Sequence, residues 1–108
     1  MNLPTEIFGD VIVVHTPEEV GTDQADSLEA LLVTLERRNV VVDMDATETI
    51  DSRGLTALVE SQRNLRELGG DLKISTTHDS NRKILEMTRL DRSVEVFDSV
   101  VDAVRSFQ

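Results

Sequence analysis

Val40-Val41-Val42-Asp43-Met44-Asp45-Ala46-Thr47-Glu48-Thr49-Ile50-Asp51-Ser52-Arg53-Gly54-Leu55-Thr56-Ala57-Leu58 runs from three β-branched residues, through an acidic and hydroxyl-rich link, into the first leucines of a helical pattern. Three successive valines without polar alternation read as a strand covered on both faces. From Leu55, apolar positions return at Leu58, Val59, Leu65 and Leu68 with Gln62 on the same side, and Gly69-Gly70 closes the run as a helix terminator should. A covered strand that feeds a helix is the unit from which parallel sheets are built.

The flanks repeat the unit. Upstream, Thr5-Glu6-Ile7-Phe8 and Val11-Ile12-Val13-Val14 are two β-prone runs joined by Gly9-Asp10, which predicts a tight hairpin. Ala25, Leu28, Leu31, Leu32 and Leu35 then recur at helical spacing, with Thr22 or Asp23 placed to cap the start and Arg37-Arg38 placed to close it against the negative end of the dipole. Downstream, Leu72 and Ile74 alternate with Lys73 and Ser75, a half-covered strand. Ile84, Leu85 and Leu90 mark a short helix, Val94 and Val96 a brief strand, and Val100, Val101, Val104 and Phe107 a terminal helix. The expectation is one α/β domain over residues 1–108, in the order ββαβαβαβα. Its sheet is mostly parallel, with an N-terminal antiparallel hairpin and about four helices.

Composition narrows the function. Among 108 residues, 11 Lys+Arg face 21 Asp+Glu, a net charge of −10. Phosphate backbones would repel such a chain, so nucleic acid is not an expected partner. The absence of cysteine rules out disulfides, a thiolate nucleophile and the usual structural zinc site. Met1 to Glu6 lacks the basic start and apolar stretch of a signal peptide, and no apolar run exceeds four residues. A cytoplasmic protein without direct membrane contact is therefore expected. His15 and His78 sit at different element ends with no second ligand at useful spacing, so no metal or other cofactor is expected. Arg82-Lys83 and Arg89 to Arg92 read as the solvated face of the third helix, open to an acidic partner.

Ligands and chemistry collect at the carboxyl ends of parallel strands, and the link after Val42 lies there. Asp43-Met44-Asp45-Ala46-Thr47 resembles the DxDxT signature of haloacid-dehalogenase-like phosphatases. In that family the first Asp is a nucleophile, the second a general acid/base, and magnesium shields the phosphate. Those enzymes also need a lysine and a further acidic pair on separate loops, whereas Lys73 and Lys83 fall at no expected strand end. A small magnesium-dependent phosphatase using Asp43 and Asp45 is the minor reading.

The Ile50-Asp51-Ser52-Arg53-Gly54-Leu55 segment resembles the signature of the STAS domain in bacterial anti-sigma factor antagonists, where Asp-Ser-(Ser/Thr)-Gly-Leu opens a helix. The resemblance takes in nearly the whole chain: Gly69-Gly70, the strand Leu72-Lys73-Ile74, the helix Asn81 to Leu90, and Val94 to Ser99. Asp43 falls on the family's strand-end Asp. The resemblance implies a non-enzymatic partner switch. The family's Ser, here Ser52, is phosphorylated by an anti-sigma factor that is also a serine kinase, and a serine phosphatase restores it. The implied contact surface comprises Asp23, Asp51, Ser52, Arg53 and Gly54, with Thr56, Glu60 and Arg63 on the outer face of the helix. A constitutive, unphosphorylated accessory subunit of a lipid-transport ATPase complex is the alternative.

Three positions depart from the pattern. Arg53 replaces a small Ser or Thr, and either pairs with a phosphate on Ser52 or obstructs the kinase. Gly21-Thr22-Asp23 stands where antagonists carry Gly-Glu-Leu-Asp, whose last residue aligns with Gly21. Leu55-Thr56-Ala57 replaces Leu-Gly. From the residues alone Ser52 is also a candidate helix cap, in competition with Asp51, and Gly54 a candidate close-packing position.

Overall fold

The computed structural model describes residues 3–35 and 37–108. In chain order the elements are β1 (Thr5–Phe8), β2 (Val11–His15), β3 (Glu19–Val20), α1 (Thr22–Thr34), β4 (Asn39–Asp43), β5 (Thr49–Ile50), α2 (Ser52–Glu67), β6 (Asp71–Ser75), α3 (Asp79–Met87), β7 (Val96–Phe97) and α4 (Val100–Arg105). A 3₁₀ turn, Leu90–Arg92, follows α3. The main sheet has the order β1-β2-β4-β6-β7. Its β1–β2 pair is the antiparallel hairpin, turned at Gly9 with φ 63°, and the remaining pairs are parallel.

Alternation along the strands sorts side chains between two faces. Ile12, Val14, Val40, Val42, Leu72 and Ile74 meet Leu28 and Leu32 of α1, Leu58 and Leu65 of α2, and Leu85 of α3. Val11, Val13 and Val41 meet Ala103 and Val104 of α4, with Phe97 and Phe107 packed beside them. Three helices thus cover one face and one helix covers the other. Val11 to Val14 and Val40 to Val42 are all buried, as continuous apolar strands of a two-faced sheet must be.

Several local expectations change. Leu72 to Ser75 are buried throughout, so β6 is covered on both faces. Its register with β4 puts Lys73 beside Val41, on the α4 side. There the ammonium donates to Ser106 Oγ at 2.8 Å and stands 4.2 Å from the Phe107 ring centre, partners that replace lost hydration. A polar residue in alternation reads as solvent-facing; the second layer of helix is what covers it.

Helix α1 ends at Thr34 rather than at the arginines, and its cap is Gly21, not Thr22 or Asp23. The Gln24 side chain reaches back to accept from Gly21 N at 2.9 Å. Arg37 and Arg38 lie beyond the helix and donate to the carbonyls of Gly9 and Leu68. Leu68 is the exposed C-cap of α2 rather than part of its apolar stripe. Gly69 takes φ 90°, and Gly70 N donates to Leu65 O at 2.8 Å, the bond pattern of a Schellman stop. Val94 belongs to the core without being strand, and β7 begins at Val96. The two-residue strands β3 and β5 form a separate parallel pair, too short to leave a periodic signal.

Candidate functional site

The carboxyl ends of β2, β4 and β6 bring His15, Asp43 and Ser75 into one row. His15 stands between two carboxylates: its Nδ1 is 2.8 Å from Asp43 Oδ2 and its Nε2 2.6 Å from Glu6 Oε1. Asp43 Oδ1 accepts from Asp45 N at 3.0 Å, and Asp45 Oδ1 accepts from Thr77 N at 2.7 Å. Both acids of the DxDxT look-alike therefore hold loops in place. Asn81 Nδ2 donates to the carbonyls of Met44 and Thr47, fixing the same link from below. Among the described residues, no group of three or more His, Cys, Asp or Glu is placed to hold a metal ion.

Burial opposes charge on His15 most strongly, but hydrogen bonds and charges from Glu6 and Asp43 outweigh it and raise its pKa above 6.5. A neutral imidazole donates from one nitrogen only, so deprotonation gives up one of the two bonds. The raised folded value makes the stabilisation complete below pH 6.5 and lost as pH climbs through that value. Urea unfolding between about pH 6 and about pH 8 should therefore show declining stability that flattens in His15→Gln. A decline unchanged by that substitution would assign it to other groups.

The second part of the site is built by β3 and β5. Their pairing sets Val20 beside Ile50, so the residues that follow, Gly21 and Asp51, arrive together. An ideal Cβ on Gly21 would lie 3.3 Å from Asp51 Oδ2. Asp51 is the N-cap of α2, and its Oδ1 accepts from Gly54 N at 3.0 Å. That answers the capping question: Asp51 takes the role, and Ser52 is the first helical residue, exposed. Gly54 is buried; a Cβ there would come within 2.6 Å of Val20 O and 2.8 Å of Ile50 Cγ1. Its place is close packing that seats α2 on β3, so it offers a partner no surface.

Thr56, Glu60 and Arg63 are exposed on the outer side of α2, and Asp23 is exposed on the first turn of α1. Arg53 points across to α1. It gives 2.9 Å contacts to Glu29 Oε1 and to Asp26 Oδ1. The Arg53 bond, more than its charge, holds the Glu29 carboxyl below its usual range, and Glu29 in turn raises Arg53. Its place after Ser52 in the sequence suggests a phosphate partner or an obstruction; in the structure its guanidinium is engaged by α1. Asp26 and Glu29 were not singled out, because nothing in linear spacing says which face of α1 meets α2.

Residues 2–103 match the STAS domain. A provisionally named anti-sigma factor antagonist of Thermotoga neapolitana is 21% identical, over 97% of this chain and 96% of that protein. The crystal structure of an anti-sigma factor antagonist from Mycobacterium paratuberculosis superposes with a TM-score of 0.85 at 22% identity, covering 97% of this chain and 92% of that one. The phosphorylated form of the Bacillus cell fate determinant SpoIIAA gives 0.75 at 13% identity, covering 99% and 100%.

Proposed function

Since the chain belongs to the STAS domain family, we propose that it acts as an anti-sigma factor antagonist, a binding protein whose docking surface is switched off by phosphorylation of Ser52. One observation carries this reading. Asp51, not Ser52, caps α2, which leaves the Ser52 hydroxyl exposed on the first turn and free of that structural duty. A phosphate there meets the positive end of the helix dipole, so the fold tolerates it. The partner does not, because ~1.5–2 added negative charges join Asp51 on a surface fitted to the neutral form. Arg53 is already engaged by Glu29 and Asp26 and leaves that charge unshielded.

On this reading the partner is an anti-sigma factor with serine kinase activity, and a serine phosphatase resets the domain. The contact surface is Asp23, Asp51, Ser52, Arg53, Thr56, Glu60 and Arg63. The test is incubation with an anti-sigma factor kinase from the same cell and ATP, followed by mapping of phosphate by mass spectrometry. Phosphate on Ser52 with loss of the complex is expected. A complex indifferent to ATP, with Ser52 unmodified, would overturn the switch and favour a constitutive subunit.

A further inference from the structure

Strand β1 ends the main sheet, and among the described residues no strand pairs with its outer edge. All of β1 is exposed, Ile7 by 57% and Phe8 by 42%. Ladder bonds in an antiparallel pair fall on alternate residues. His15 N donates to Pro4 O at 2.9 Å, so in this register the bonds toward β2 belong to Pro4, Glu6 and Phe8. The N–H and C=O groups of Thr5 and Ile7 therefore point the other way, out of the sheet. Such an edge is a template for a further strand. Pro4, which lacks an N–H, does not interrupt it, because the missing donor would face β2.

This edge matches its own copy. In an antiparallel pairing about a two-fold axis at Glu6, Thr5 lies opposite Ile7 of the second chain and Ile7 opposite its Thr5. Each of these pairs exchanges both of its backbone bonds. The same register sets Phe8 against a proline ring and Ile7 against a threonine methyl. An arbitrary extended segment satisfies the backbone alone, whereas a second copy satisfies backbone and side chains from one stretch, Pro4 to Phe8. The single conflict is Glu6 against Glu6, where like charges directly opposite oppose pairing. Glu6 and His15 are the titratable side chains of β1 and β2, and they touch. His15 Nε2 is 2.6 Å from Glu6 Oε1, with Asp43 of β4 at 2.8 Å from its other nitrogen. A protonated His15 sets a positive charge beside each Glu6.

We infer that β1 is a self-association edge, on which a second copy of this chain pairs antiparallel about Glu6, with the charge on Glu6 and His15 setting the strength. So short a strand buries less than the roughly 1,200 Å² of a standing interface, and the dimer is a transient one that forms at high protein concentration.

The test dilutes the ¹⁵N-labelled full chain from about 1 mM at about pH 6 and about pH 8, with sedimentation equilibrium on the same samples. A monomer–dimer equilibrium is expected at the lower pH, with the Thr5 and Ile7 amides moving on dilution, and association roughly tenfold weaker at the higher pH. Glu6→Thr removes the conflict and should tighten the dimer and erase the pH difference. Adding Ile7→Pro deletes a donor that the monomer leaves unused; it should restore the monomer while circular dichroism stays that of the parent. A chain monomeric at the lower pH would leave this edge to a strand of another protein and overturn the proposal. So would a dimer whose shifts lie away from β1, or one that survives Ile7→Pro.

Discussion

Gly70→Ala is expected to destabilise the domain by about 3 kcal/mol and to lower its melting temperature by roughly 15 °C. A Cβ at Gly70 would stand 2.0 Å from the Arg38 carbonyl oxygen and 2.6 Å from the Arg38 carbonyl carbon. Those are backbone atoms at the mouth of β4, one residue before the Asn39–Asp71 register pair, and Asp71 N donates to the same oxygen at 3.1 Å. No side-chain rotation relieves the clash; β4 and β6, the middle of the sheet, would have to separate. Gly69→Ala is the informative control. Its Cβ meets nothing within 4 Å, so it carries only the strain of φ 90°, about 1–2 kcal/mol. Thermal melts of the two variants should rank in that order, and Gly70→Ala melting with the parent would contradict the packing.

Phosphoserine installed at position 52 is expected to weaken binding to the purified anti-sigma factor by about a hundredfold or more, ~3 kcal/mol. Ser52→Glu adds one charge instead of nearly two and should give a partial loss, about tenfold. Ser52→Ala should bind like the parent. None of the three should lower the melting temperature, because Ser52 is exposed on the first turn of α2, where an anion is favoured. Calorimetric titration paired with thermal melts reads both quantities. Ser52→Glu binding with undiminished affinity, or phosphoserine unfolding the domain, would each break the account of a rigid surface that changes only its charge.

The main sheet was legible because burial writes itself into sequence: Val11 to Val14 and Val40 to Val42 could serve only as covered strands, and the Gly69-Gly70 stop was unmistakable. Misreadings came where a tertiary partner overrides a local pattern. Lys73 looks like a solvent-facing residue until α4 is known to bury it. Arg37 and Arg38 look like the end of a helix until their carbonyl acceptors appear in other elements. The site divides in the same way. Exposure of Thr56, Glu60 and Arg63 followed from helical periodicity alone. The seat of Ser52 depends on β3 and β5, two residues each, and the clasp on Arg53 depends on how α1 crosses α2. Neither is a property of any single stretch of chain.

The clasp has a kinetic consequence. Arg53 is the nearest cation in sequence to Ser52, and it is held by α1 before any phosphate arrives. The cation next to Ser52 in the chain is thus already committed to α1, and on the proposed reading no slow rearrangement stands between modification and effect. On the proposed reading the signal has no memory inside the protein. Its delay is set by the enzymes that add and remove phosphate and by how fast the bound complex lets go.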